Sequence, residues 1–224
     1  MIIGISGFKG SGKDTLADWL VKEYGFVKIG LADPLKRFCA EAFDFSDEAL
    51  WGPSELREIP DERYPTGKTD EETGKSIYLT PRRALQQLGT EWGRNCYENV
   101  WIDKAIRDAR RVTDIGMGYH QTIGLRSVGR LQRRSVVIPD VRFINEMRAL
   151  KKAGAAVVRV KRGEPTVESH QSESEQLLIN DSEFDHVFEN DGTINDLRAM
   201  VTMWCQKNSI EAPKQEPFFT RDRI

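Results

Sequence analysis

An α/β fold built on a parallel sheet is what this 224-residue chain predicts, from two observations. Short apolar runs that read as strands alternate with amphipathic stretches that read as helices, the order that parallel βαβ units require. The first apolar run also leads at once into a glycine-rich loop and a helix, in the opening MIIGISGFKGSGKDT. The length suffices to bury a sizeable core. Contents of 39% hydrophobic and 30% charged residues describe a globular chain rather than a disordered one.

Met1–Ser6 reads as a buried strand bounded by Gly7. Asp14–Tyr24, with apolar residues at Leu16, Ala17, Trp19, Leu20 and Val21, reads as a helix stopped near Gly25. A second strand follows at Phe26–Ile29, then a helix from Asp33 to Phe43 with Pro34 in its first turn. Residues 52–78 turn polar around Pro53, Pro60 and Pro65, as a long loop or an exposed hairpin would. Thr80 caps a helix through TPRRALQQLGTEWGR, and helix resumes over Glu98–Arg111. Residues 112–134, rich in glycine and arginine, give no clear period. SVVIPD is a strand and Arg142–Ala153 a helix; Ala155–Val160 and His186–Glu189 are strands, and Ile194–Lys207 is a final amphipathic helix.

The bulk numbers exclude several functions. A net charge of −2 advertises neither a polyanion nor a membrane surface as partner. No apolar run is long enough for a transmembrane helix, and the first is too short for a signal peptide. The cysteines, Cys39, Cys96 and Cys205, are odd in number and far apart, which suits a reducing cytoplasm better than a disulfide framework. Arg126–Arg134 holds four arginines, but with no aromatic interleaving in a net acidic chain it makes a poor nucleic-acid surface.

Gly7-Phe8-Lys9-Gly10-Ser11-Gly12-Lys13 has the GxxxxGK spacing of a phosphate-binding loop. Backbone N–H groups that point at a polyphosphate need conformations and approaches that side chains obstruct, hence the glycines. The helix beginning here adds its positive end, and Lys13 adds a charge for the β- and γ-phosphates. Its position between a first strand and a first helix separates the motif from an ordinary glycine turn, and the rival GxGxxG fingerprint fails because Lys-Asp-Thr follows Gly12. The Ser or Thr usual after the lysine is displaced by one, giving Asp14 and then Thr15. Asp14 either holds a water of Mg²⁺ or is a first-turn acid facing the helix dipole. Asp140, closing the run VVI, either orients Mg²⁺ or caps the helix after it, with Arg142 at the same sheet edge. Lys36, Arg37, Arg82, Arg83 and Arg94 stand where a second phosphate could be gripped, or are ordinary solvated arginines and lysine. His170 lies in a polar loop with no metal partner at ligand spacing, behind Arg159, Lys161 and Arg162.

GKDTLADWL, LADPLK, TPRRALQQLGTEWGR, VIPDVRFINEMRALKKAGA, the H-x-S-E pair of His170 and Glu173, and NDGTINDL occur in an order that resembles the bacteriophage deoxynucleoside monophosphate kinases. The likeness covers most of the chain and is most specific around LGTE and DVRFxNE; residues 52–79, 112–134 and the tail match least. It implies a three-layer P-loop kinase fold over residues 1–224, with a central parallel sheet, a helical acceptor-binding region at about 33–111 and a short lid at about 161–176. It further implies transfer of the ATP γ-phosphoryl to a dNMP, in the cytoplasm of an infected bacterium if the chain is a phage protein. Gly10, Ser11, Gly12, Lys13, Asp14, Thr15 and Asn190 would then bind ATP, with Asn190 near the adenine. Thr15 and Asp140 would organise Mg²⁺. Lys36, Arg82, Arg83, Arg94 and the lid residue His170 would bind the acceptor, and Lys13, Arg142 and Arg162 would act at the transferring group. The partners implied are small molecules, with neither nucleic acid nor membrane, and the PFF tail offers a contact for a homodimer. A P-loop kinase for another small phosphorylated metabolite, or an ATP-binding switch or nucleic-acid-dependent ATPase, is the alternative.

Overall fold

The computed structural model describes residues 1–116, 132–163 and 176–212. Five strands form one sheet: β1 (Ile2–Ser6), β2 (Val27–Lys28), β5 (Val136–Ile138), β6 (Ala156–Lys161) and β7 (His186–Glu189), in the order β2-β5-β1-β6-β7. Every pairing is parallel, with Ile3 opposite Val137 on one side and Ala156 on the other.

Because side chains alternate along a strand, the central strands feed two cores. Ile3, Ile5, Val137 and Val158 point to one face, where α1 (Lys13–Tyr24) and α7 (Ile194–Lys207) cover them with Leu16, Leu20, Leu197 and Val201. Ile2, Val136, Ile138 and Val157 point to the other, under α5 (Val100–Arg110) and α6 (Ile144–Lys152), which contribute Ile102, Ala105, Met147 and Leu150. The result is helix, sheet, helix in three layers. Gly4 is the narrow point of the second face, since a Cβ there would lie 2.7 Å from Leu150 Cδ1.

A smaller core sits beside the sheet. α2 (Asp33–Phe43), α3 (Asp47–Trp51) and α4 (Pro81–Gln86) gather Cys39, Phe45, Leu50 and Ala84. Residues 52–78 are a 3₁₀ turn, Ser54–Glu58, and an antiparallel hairpin, β3 (Asp61–Thr69) with β4 (Ser76–Leu79). Tyr64 anchors the hairpin: its ring packs edge-on against Phe43 and Phe45, and its hydroxyl donates to Phe43 O at 2.8 Å.

Two helices differ from the sequence expectation. The one capped by Thr80, whose hydroxyl accepts Arg83 N–H at 3.1 Å, keeps α-helical pitch only to Gln86 and widens to a π-helical segment over Gln87–Arg94. Gly89 and Gly93 weaken the ordinary helix there, and the Trp101 indole donates to Gly89 O at 2.8 Å while its ring fills the space beside Gly93. The helix read from Arg142 begins at Ile144, because the N–H groups of Arg142 and Phe143 bond the Glu146 side chain instead.

Leu150 is fully buried beneath β1. Leu150→Ala is expected to cost about 2–5 kcal/mol, visible as a lower urea midpoint with an unchanged denaturant slope.

Candidate active site

The loop between β1 and α1 lies at the carboxyl edge of the sheet. Gly12 is the N-terminal boundary residue of α1, with φ at 99°, and no side chain caps the helix. The first-turn N–H groups of α1 are thus left for an anion, at the positive end of the helix. A side chain at Gly12 would also collide with Asn190, whose Nδ2 would be 2.5 Å from a Cβ. Asn190 is buried and acts as a clamp: its Nδ2 donates to Ser11 O at 2.8 Å, and its own N–H donates to Lys161 O at 2.7 Å. The loop is thereby tied to the end of β6. A cavity of about 280 Å³ opens here, lined by Gly10, Lys13, Asp14, Thr15, Arg162 and Asn190, together with the start of α7.

Lys13 is buried within this wall, and its Nζ lies 3.7 Å from Asp14 Oδ2 and 3.7 Å from Asp140 Oδ1. Asp140 follows β5 and sits in the left-handed region at φ 70°, a conformation that costs about 1–2 kcal/mol for a non-glycine residue. It does not cap α6. Its Oδ2 accepts from Arg142 Nη2 at 2.7 Å instead. Burial by itself would raise the Asp140 carboxyl, but the charges of Arg142 and then Lys13 outweigh it and hold the group below its ordinary value.

Among the described residues, the polar side-chain atoms buried at this edge without a hydrogen-bond partner include Ser6 Oγ, Ser11 Oγ and Asp140 Oδ1. An ionised carboxylate oxygen beside Lys13 suits a hard cation that keeps most of its water, and Lys13 also lines the glycine-loop cavity together with Asp14 and Thr15. The donor set therefore fits a Mg²⁺ carried in with a nucleotide.

Behind Asp140 and Arg142 stands Glu146, a residue sequence reasoning did not single out. Its Oε2 accepts the backbone N–H of Arg142 at 2.9 Å and of Phe143 at 3.1 Å. Its Oε1 faces Arg94 Nη1 at 3.4 Å. The Arg94 guanidinium stacks 3.8 Å over the Phe143 ring and reaches Asn145 Oδ1 at 3.4 Å, and its side chain is 15% exposed. Arg94 is thus engaged with α6 and its approach. The signal that could have revealed Glu146 was its place three residues after Phe143, the helix boundary; reading the helix from Arg142 hid it.

The remaining cations among the expected site residues lie around α2, the 3₁₀ turn and α4. Lys36 Nζ is 5.8 Å from the Trp51 ring, and burial lowers its pKa, with Asp33 opposing and the charge of Arg57 adding to the fall. Arg57, also missed, donates to Leu50 O at 2.9 Å; burial and then the charge of Arg82 lower its pKa. Lys36 and Arg57, and Arg57 and Arg82, thus stand close enough to feel one another in pairs, with Asp33, Glu55 and Glu58 among them. Arg82 pairs with Glu58, and Arg83 sits in the first turn of α4. Separately, an apolar cavity of about 400 Å³ lies between α2 and the π-helical segment, lined by Pro34, Leu35, Phe38, Leu88, Trp92 and Trp101. His170, most of the span 161–176, the arginines of 126–130 and the C-terminal tail fall outside the described residues. Among the described residues, no helix is long and apolar enough to cross a membrane.

Burial pushes the Glu146 carboxyl from its usual 4.5 up to about 7, against the two N–H donors and Arg94, which pull it down. A folded-state value above the unfolded one means a stability contribution that is full below about pH 4.5 and lost as the pH rises through about 7. Melting temperatures of the wild type and Glu146→Gln, compared at pH 5 and pH 8, should therefore shift in favour of the glutamine variant at the higher pH. A gap that stays constant contradicts this.

Comparison with known proteins matches the chain to the family model described as deoxynucleotide monophosphate kinase, over residues 1–59 and 68–201. A protein of Acanthamoeba polyphaga mimivirus provisionally named a deoxynucleotide monophosphate kinase is 32% identical over 205 residues, covering 90% of this chain and 94% of the relative. The deoxynucleotide monophosphate kinase of Enterobacteria phage T4 is 26% identical, covering 89% of this chain and 96% of that one. Among solved structures, a shikimate kinase from Aquifex aeolicus superposes with a TM-score of 0.47 at 12% identity, over 95% of this chain and 100% of the other. With the family model spanning most of its length and a relative this similar, the chain belongs to the deoxynucleotide monophosphate kinase family.

Proposed function

We propose that the protein transfers the γ-phosphoryl group of ATP to a deoxynucleoside monophosphate, giving ADP and the deoxynucleoside diphosphate. The observation that carries this reading, beside family membership, is the convergence of Lys13, Asp140 and Arg142 at the mouth of an uncapped, glycine-lined helix start. The triphosphate lies along the loop from Gly10 to Thr15, with Lys13 on its β- and γ-phosphates. Arg162 closes the cavity wall, and Asn190 keeps the loop in shape for an adenine nucleotide.

The acceptor enters from the opposite side. Lys36, Arg57, Arg82 and Arg83 draw its phosphate, and the apolar cavity between α2 and the π-helical segment takes the base. The second pKa of a phosphate monoester is about 6, so the attacking oxygen is already ionised at neutral pH and no general base is required. That oxygen forms a bond to the γ-phosphorus while the bond to the bridging oxygen breaks, and the electron pair leaves with ADP. Catalysis is then alignment and neutralisation of spreading negative charge, by Lys13 and by Arg142 and Arg162 from the two flanking strand ends. Mg²⁺, held through Asp140 and Thr15, would supply further neutralisation between the phosphates.

The test is ADP release from MgATP with dTMP, dGMP, dCMP, dAMP, 5-hydroxymethyl-dCMP and GMP offered in turn. Strong stimulation by at least one deoxynucleotide is the expected result, and ATP binding without stimulation by any of them defeats the reading. Arg142→Ala should lower kcat by about 10³-fold or more while the Kd for ATP moves only a few-fold. Unchanged turnover in that variant removes Arg142 from the site.

A further inference from the structure

Arg94 and Glu146 are 52 residues apart in sequence, yet they meet behind the Asp140–Arg142 turn. Glu146 alone resembles an ordinary helix-start acid that satisfies loose N–H groups. Its surroundings demand more than that. A capping carboxylate keeps its second oxygen in water, whereas the Glu146 side chain is only 7% exposed and its second oxygen faces Arg94. Burying an ion pair is weak evidence of added stability, so such a pair calls for another explanation.

The three N–H groups that follow Asp140 are all pinned. Val141 donates to Ile5 O at 2.9 Å, and Arg142 and Phe143 donate to Glu146. Asp140 can hold its left-handed conformation because the backbone beyond it is over-determined. The other end of the network leads to the acceptor side: Arg94 closes the π-helical segment, and Asn145 Nδ2 donates to Asn99 Oδ1 at 2.7 Å, just before α5. One set of side chains thus ties the turn bearing Asp140 and Arg142 to the segment that walls the apolar cavity through Leu88 and Trp92.

We propose that Glu146 is a positioning residue: with Arg94 as its counter-ion, it sets the Asp140–Arg142 turn for transfer and fixes that turn to the acceptor-side helix. The assignment rests on the kinase reading above. It concerns geometry at the reacting phosphates and leaves donor binding to the glycine loop.

Steady-state kinetics, nucleotide binding and melting temperature are to be measured together on the full chain for Glu146→Gln, Glu146→Ala, Arg94→Met and the Arg94→Met/Glu146→Gln pair. Glutamine keeps a carbonyl for the two N–H donors and replaces the charged acceptor facing Arg94 by a neutral amide NH₂. A misplacement of about 1 Å at reacting groups can cost 10²-fold, so we expect kcat to fall about tenfold in Glu146→Gln and about 10²-fold in Glu146→Ala, with the Kd for ATP within about twofold. The pair should lose much less than the product of the two single losses. Val201→Ala, which opens a void where α7 packs on the sheet, should lower the melting temperature without touching kcat. Glu146 variants that melt earlier but turn over normally, or that lose kcat and ATP affinity in parallel, overturn the proposal, as do independent losses in the pair. If Glu146→Ala does not fold, Glu146→Gln and Arg94→Met decide alone. A wild type that transfers nothing would instead defeat the kinase reading, and this inference with it.

Discussion

Parallel pairing of β1 between β5 and β6 is the constraint on which the site depends. With Ile3 set against both Val137 and Ala156, the three strands run to the same edge: β5 ends opposite Gly4, β1 at Ser6 opposite Arg159, and β6 at Lys161. The glycine loop, Asp140 and the Lys161–Arg162 step are then delivered side by side, although more than a hundred residues separate the first from the others. Among the described residues, helices cover both faces and the carboxyl strand ends stay accessible, which is where open α/β sheets take ligands. The burial that drives this is apolar and undirected, while the position it gives the charged residues is specific.

Around that edge the protein keeps several locally unfavourable features. Asp140 has a left-handed backbone, α1 starts with no side-chain cap, Asp140 Oδ1 and Ser11 Oγ are buried without a hydrogen bond among the described residues, and Glu146 is a carboxylate almost wholly out of water. Each is costly for stability alone. Each is also what an anion, its cation or a fixed catalytic turn would use. They meet within one stretch of sheet edge, where the packed cores on both faces of the sheet hold the backbone in place.

Much of this was legible in the sequence, and the reasons differ by element. The core strands and the glycine loop announce themselves because burial forces apolar runs and phosphate contact forces glycines, both of which are local signals. The bounds of α2 and α7 follow from Asp33-Pro34 and from Thr193, whose hydroxyl accepts the N–H of Asp196. What was hidden depends on contacts distant in the chain. The π-helical widening after Gln86 is set by Trp101, twelve residues beyond the carbonyl it binds. The Arg94–Glu146 meeting and the clamp of Asn190 on Ser11, with a separation of 179 residues, have no local signature at all. Arg57 was passed over because it lies in a polar stretch where a charged residue carries no information until the fold buries it.

The most direct test of the account follows the labelled phosphoryl group itself. Enzyme in excess over γ-labelled ATP, mixed with Mg²⁺ and an accepted deoxynucleoside monophosphate, should pass the label into the deoxynucleoside diphosphate in a single turnover, with little released as inorganic phosphate. Label that appears as inorganic phosphate at the same rate with or without the monophosphate would mean that water is the acceptor. The edge formed by Lys13, Asp140 and Arg142 would then belong to a hydrolase.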